Sequence, residues 1–321
     1  TTGVENTIVG GLAGDALTTG YQNVAMGYQS LSADTKGVAT VAIGVSALKN
    51  QNHTTITSTY NTAVGYVAGR DTATGTNNTF IGALAAYDGA NGNHNTIVGY
   101  AAGQNNAASF NTLMGSLTGD SLTSGASNTA LGYASLTTDT NGSFSTAVGN
   151  QALATQNFTT ATDAHNTGIG NLAGSLITTG IQNTLVGSLA GDALTDADMN
   201  VAVGYAALSV DTKGSESTAI GRGALANQNF TTSTDSHNTA VGHSAGQQMT
   251  TGIQNVLLGS NAGLNLTDAD QNVAIGHAAL TSDTLGSKSI AIGREALVTQ
   301  NFTTATDVYN VAIGHNAGQA V

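Results

Sequence analysis

One short pattern, Asn-Thr-Ala-Val-Gly or a close variant, returns along the whole chain at nearly constant spacing. "NTIVG" ends at Gly10, "NTAVG" at Gly65 and Gly242, and "NVAIG" at Gly276 and Gly314. With the closing glycine as register mark there are 18 copies in 321 residues. Gly10, Gly27 and Gly44 show the common interval of seventeen. The step from Gly99 to Gly115 is one shorter, and four steps, such as Gly44 to Gly65, are four longer. Gly149, Gly221 and Gly293 are evenly spaced over the same run of short and long steps, so a longer order overlies the short one. Seventeen residues cannot hold a helix, a strand and their connections, but they suit one coil of a solenoid with two short strands joined by turns. Composition does not shift anywhere along the chain. The expected fold is therefore all-β: a parallel β-solenoid of 18 coils, mostly of that common length, forming a single continuous repeat domain over residues 1–321.

Within a copy, the residue before the glycine is always large and apolar, and the residue two places earlier is always Thr, Val or Ile. A period of two in β-branched residues reads as a short strand with both positions facing a core. On that reading Val9, Ile43, Val64, Val148, Ile169, Val203, Ile220, Val241, Ile275 and Ile313 are core residues. The position between them is usually Ala, which suits either water or a second packed surface. Three residues after the glycine stands Ala, Ser or Thr in every copy, as at a tight corner. Four residues after it stands Leu in eight copies and Gly in nine. Where it is Gly, a large residue such as Leu17, Leu122, Ile177, Leu194, Met249 or Leu266 often follows three places on. Volume is thus conserved between two positions, as close packing demands. Thr72 and Asn106 break that rule, which predicts looser packing in the coils of Gly65 and Gly99.

Asn precedes the strand in 14 copies, and Thr40, Ser145, Ser217 and Ser289 take its place in the others. A column of Asn can hydrogen-bond from coil to coil and suits the bend into a strand. The four long intervals must bulge outward, and each carries a pair of ring side chains: His53 and Tyr60, Phe158 and His165, Phe230 and His237, Phe302 and Tyr309. These loops are the candidate surface contacts, since scaffolded loops commonly carry function. A purely structural role, the two rings packing together to prop the loop, is the competing reading.

The remaining chemistry is sparse. There are 42 Gly, no Pro, Trp or Cys, and only 8% charged residues, with 7 Lys+Arg against 19 Asp+Glu. That acidity speaks against nucleic acid or an anionic membrane as partner, and no apolar run is long enough to insert in a membrane. Absent Cys excludes thiol chemistry. His243, His277 and His315 share one column but fall on alternate coils, ~9–10 Å apart at a sheet spacing of ~4.8 Å, which is too far for one chain to chelate a metal. The Asp pairs of "LTDAD" at 194–198 and 266–270 suit polar turns, and no EF-hand or calcium nonapeptide occurs. With three Glu and no irregular insertion to make a pocket, no catalytic, cofactor-binding or metal-ligating residue is assigned. The expectation is that the protein is not an enzyme.

The pentapeptides "NVAIG" at 272–276 and 310–314 and "STAIG" at 217–221, each followed by "xxAL" or "xxAG", resemble the head repeats of YadA-type trimeric autotransporter adhesins. They are equally similar to repeats of phage tail-fibre proteins. The resemblance spans every coil and implies a left-handed parallel β-roll, a side-by-side homotrimer and an extracellular place on a cell surface or virion. It also implies an unidentified host-surface or matrix receptor. The expected function is a structural fibre, an adhesin head or tail-fibre shaft. The alternative is a filament subunit that stacks head-to-tail, because the seven residues after Gly314 and the ten up to Gly10 together make one coil. Otherwise the sequence is a window on a longer fibre. Ice or crystal-surface binding is a third reading, suggested by the Thr column and disfavoured because the strand threonines are expected to face inward.

Overall fold

Each repeat folds as one coil of a parallel β-solenoid. The computed structural model describes residues 2–89 and 91–321, and among these there are about 18 coils and no helix. Contacts divide the chain into two compact units, residues 1–164 and 165–321, each carrying nine anchor glycines. In both, a three-residue strand ends just before the anchor glycine, as at Thr62–Val64 and Val201–Val203. A run of tight turns follows. Strands of consecutive coils pair in parallel and in register: Thr184 opposite Val201, Leu185 opposite Ala202, Val186 opposite Val203. The expected second strand is not general. Two-residue strands appear only around the long intervals, where Gly37–Val38 pairs with Thr57–Ser58 and Gly214–Ser215 with Thr234–Asp235.

The strand faces are the reverse of the sequence expectation. It is the middle residue that enters the core: Ala25, Ala42, Ala63, Ile97, Leu113, Leu185, Ala202, Ala219 and Leu257 are all fully buried. Val9, Val64, Ile169, Ile220 and Ile313 are exposed, and Ile43, Val148, Val203, Val241 and Ile275 are only half-buried. The reason is space. So short a coil encloses a narrow interior, and the Leu four places after the anchor already fills most of it. Leu31, Leu48, Leu136, Leu153, Leu208, Leu225 and Leu280 are completely buried, and every one of those coils has Ala at the middle strand position. In five of the nine coils where that later position is Gly, a large middle residue replaces the leucine, as Ile97 does with Gly103, Leu113 with Gly119, Leu185 with Gly191 and Leu257 with Gly263; Ala63, Gly168, Ala240 and Ala312 stand in the other four.

The compensation also runs between coils, which removes the expected looseness. A Cβ added to Gly69 would lie 2.5 Å from Phe80 and 2.9 Å from Leu48, so both neighbouring coils lean into its space. Around Gly103 the same positions are taken by Leu113 and Ile97, at 2.8 and 2.9 Å. Thr72 and Asn106 are buried and enclosed. The defect at Asn106 is polar instead, because its buried Nδ2 has no hydrogen-bond partner.

The anchor glycine is required twice over. Its φ lies between 128° and 144° in most copies, which side chains rarely adopt. An added Cβ would also meet the carbonyl of the next anchor, at 2.6 Å for Gly204 against Gly221. The Asn column forms the expected ladder, with the backbone as intermediary. Asn200 Oδ1 accepts from the N–H of Ser217 at 2.9 Å, and its Nδ2 donates to the carbonyl of Gly214 at 2.8 Å. Asn183 does the same with Asn200 and Ala197. Each side chain thus satisfies backbone groups that a buried bend would otherwise orphan.

Candidate interaction surfaces

Turning the middle residue inward turns one apolar column and one β-branched, mostly threonine column outward. The residue before the anchor stays well exposed in the middle of the stack, 36% for Val64, 40% for Ile81 and 46% for Leu131. Beside it runs the column of Thr, Val and Ile that opens each strand, half-buried or exposed throughout. Directly after the anchor come Tyr28, Tyr66, Tyr100, Tyr133 and Tyr205, all more than half exposed. In the second unit that third column becomes basic, with Arg222, His243, His277, Arg294 and His315. Scattered exposed apolar residues are ordinary, but a contiguous ladder of them marks a surface that meets something.

The long loops are more ordered than their bulge suggests. Asp211 is completely buried, and its Oδ1 accepts from the N–H groups of Gly214 and Phe230, each at 3.0 Å. Its Oδ2 accepts from Gln228 Nε2 at 2.6 Å. Gln228 also donates to Ser217 Oγ and accepts from Asn238 Nδ2, so the loop is tied into the Asn ladder. Asp34 with Gln51 and Asp283 with Gln300 repeat this network. A buried carboxylate with several donors needs no cation to be held. Asp139 makes the corresponding contacts with Gly142, Gln156 and Phe158.

The ring pairs of these loops divide between inside and outside. His53, Phe158 and Phe230 are buried and Phe302 is half-buried, while Tyr60, His165, His237 and Tyr309 are exposed. The first member anchors the loop. The second belongs to a column present in every coil: the residue before the ladder position, always at φ between 49° and 64°. In that column His94 stacks on Phe110 with centroids 5.2 Å apart, His237 Nδ1 lies 2.8 Å from Glu216, and Lys288 stands over the Tyr309 ring. What the loops alone present to solvent is their apices, such as Thr54–Thr55–Ile56 and Thr231–Thr232–Ser233.

Other charged groups are mostly paired along the stack. Arg70 lies 3.6 Å over the Tyr87 ring and hydrogen-bonds Asp71, whose carboxyl it holds below the ordinary range. Asp198 and Asp270 of the "LTDAD" turns accept from the N–H groups of Ile181 and Ile253, both at 2.8 Å, in the neighbouring coil. Asp196 faces Lys213 at 3.5 Å. Asp192 is raised above its usual value by burial, and its Oδ1 has no partner. Among the described residues no three His, Asp or Glu side chains are grouped to hold a metal ion.

A hollow lies on the surface of the second unit. Its volume is about 320 Å³, and Tyr205, Ala206, Arg222, Gly223, Ala226, His243, Ser244 and Gln247 line it. Sequence reasoning passed over it, although it left a signal: Gly223 is the only glycine two places after an anchor. No protein-family model matches the chain, and no curated protein is detectably similar to it.

Proposed function

We propose that the chain is the shaft of an extracellular attachment fibre in which three copies pack side by side through the outward strand face. The ladder of exposed Val, Ile, Leu and Met before the anchors carries this reading. A solvated strand face is ordinarily polar, and this one is apolar from coil to coil. Burying the apolar column, with the methyl groups of the β-branched column beside it, along many coils would bring stabilisation on the scale of ~25 cal/mol per Å² of apolar surface. The low charge, the paired ions and the ordered loops fit a spacer that presents side chains at the interval of its coils. The resemblance to adhesin-head and tail-fibre repeats points the same way. Light scattering on the purified protein, with negative-stain images, tests this: three chains per particle and discrete rods are expected. A monodisperse single chain would contradict it, and indefinite fibres would favour a filament subunit instead.

One observation favours a second reading. Thr62, Thr79, Thr96, Thr112, Thr129 and Thr146 stand outward on six consecutive coils, in register, so the inward orientation that counted against ice binding does not hold. A flat lattice of hydroxyl and methyl groups is a surface that ordered water can meet. Thermal hysteresis from a single-chain species would support that reading over the fibre.

A further inference from the structure

The hollow beside Arg222 has an internal control one long period away, at Arg294. The chain holds three arginines. Arg70 hydrogen-bonds Asp71, and Arg294 donates from Nε to one carboxylate oxygen of Glu295 at 3.0 Å, with Nη2 ion-paired to the same oxygen at 2.8 Å. Arg222 stands where Arg294 stands, directly after its anchor, but the next residue is Gly223 in place of glutamate. Among the described residues Arg222 has no acidic partner; it donates to His243 Nε2 at 3.2 Å. Packing does not demand the glycine: a Cβ there would find nothing nearer than Gln247 and Ser244, each 3.8 Å away. Nor does the backbone, since Glu295 adopts φ 58° at the equivalent place and Gly223 φ 66°. The glycine therefore leaves an arginine without a neighbouring carboxylate, beside a hollow of about 320 Å³.

We infer that this hollow binds a carboxylated sugar, with Arg222 holding the carboxylate. The sister coil shows the group that this arginine position takes, and no carboxylate lines the hollow to compete for it. A planar guanidinium is suited to carboxylate recognition. The volume exceeds that of a carboxylate alone and matches the low end of small-molecule sites. Ser244 and Gln247 offer donors and acceptors for hydroxyl groups, and the exposed Tyr205 ring offers an apolar face for the sugar ring. This site stands apart from the fibre reading, because binding and chain count are measured separately.

Side-chain NMR of the protein carrying ¹⁵N-arginine, titrated with glucuronate, tests it on the intact chain. Three Nε–Hε signals are expected, and only that of Arg222 should move, saturably. Acetate should bind at least tenfold more weakly, and glucose should leave the signals in place. Gly223→Glu supplies the sister coil's own carboxylate and should weaken glucuronate at least tenfold with unchanged circular dichroism and molar mass. Glu295→Gly should create a second responsive signal at Arg294. No saturable shift, or equal binding by the Gly223→Glu variant, would overturn the site. Acetate binding as tightly as glucuronate would overturn the assignment to a sugar.

Discussion

Val201 and Ala202 are adjacent in one strand and lead opposite lives. Ala202 is fully buried, as is Leu208 of the same coil, and Val201 and Val203 stand half-buried on the outer side. The inner face is governed by volume: Ala with Leu, or a large residue with Gly, because the coil is narrow. The outer face is governed by shape and apolarity alone, with Thr, Val, Ile, Leu and Met exchanged freely along its columns. Two surfaces with different rules stand back to back on one strand, one packed and one facing outward.

The sharpest way to break the inner face is at the anchors. Gly204→Val puts side-chain atoms into the carbonyl of Gly221 and forces a side chain to the φ of a glycine. A loss of at least about 4 kcal/mol is expected, read as a collapse of the thermal transition. Phe230→Ala empties the base of a long loop and should cost about 3 kcal/mol in denaturant titration, whereas its exposed counterpart His237→Ala should change stability by no more than about 0.5 kcal/mol. Equal effects would show that both rings prop the loop. Asn200→Ala orphans the N–H of Ser217 and the carbonyl of Gly214 in the interior, and about 2 kcal/mol is expected.

The smallest effect concerns Asp192. Burial raises its folded-state pKa, so folding resists its ionisation, and that group's contribution is most favourable at acid pH and is lost as pH rises through the raised value. Asp192→Asn should therefore melt slightly higher than the parent at pH 7. The two should converge as pH falls below the ordinary carboxylate range.

The coil was legible in the sequence because each repeat states the same backbone demands. Only glycine fits the anchor, only a small residue fits the corner after it, and Asn ties one bend to the next. The direction of the strand was not legible. Alternation in "NTAVG" marks two faces, but Thr62 and Val64 carry more apolar surface than Ala63, and surface alone points the larger pair inward. The deciding fact lies outside the strand, in Leu48, Leu208 and their equivalents, which claim the interior first. The ring pairs divide for a related cause: Tyr60 and His237 belong to a column running through every coil, whereas His53 and Phe230 are buried within the long loops. The hollow at Gly223 was written as one missing side chain, visible only once the 18 coils are set in register.

The outer face admits a direct test against the inner one. Val203→Lys with Ile220→Lys places two charges on the outward ladder of adjacent coils, and Ala202→Lys places one in the interior of the first of them. Molar mass in solution, measured beside far-ultraviolet circular dichroism, separates the two faces. The outer pair is predicted to reduce the assembly to single, fully folded chains, and the inner substitution to destroy the fold. An outer variant whose mass equals the parent's, or one that unfolds as the inner variant does, would contradict the account.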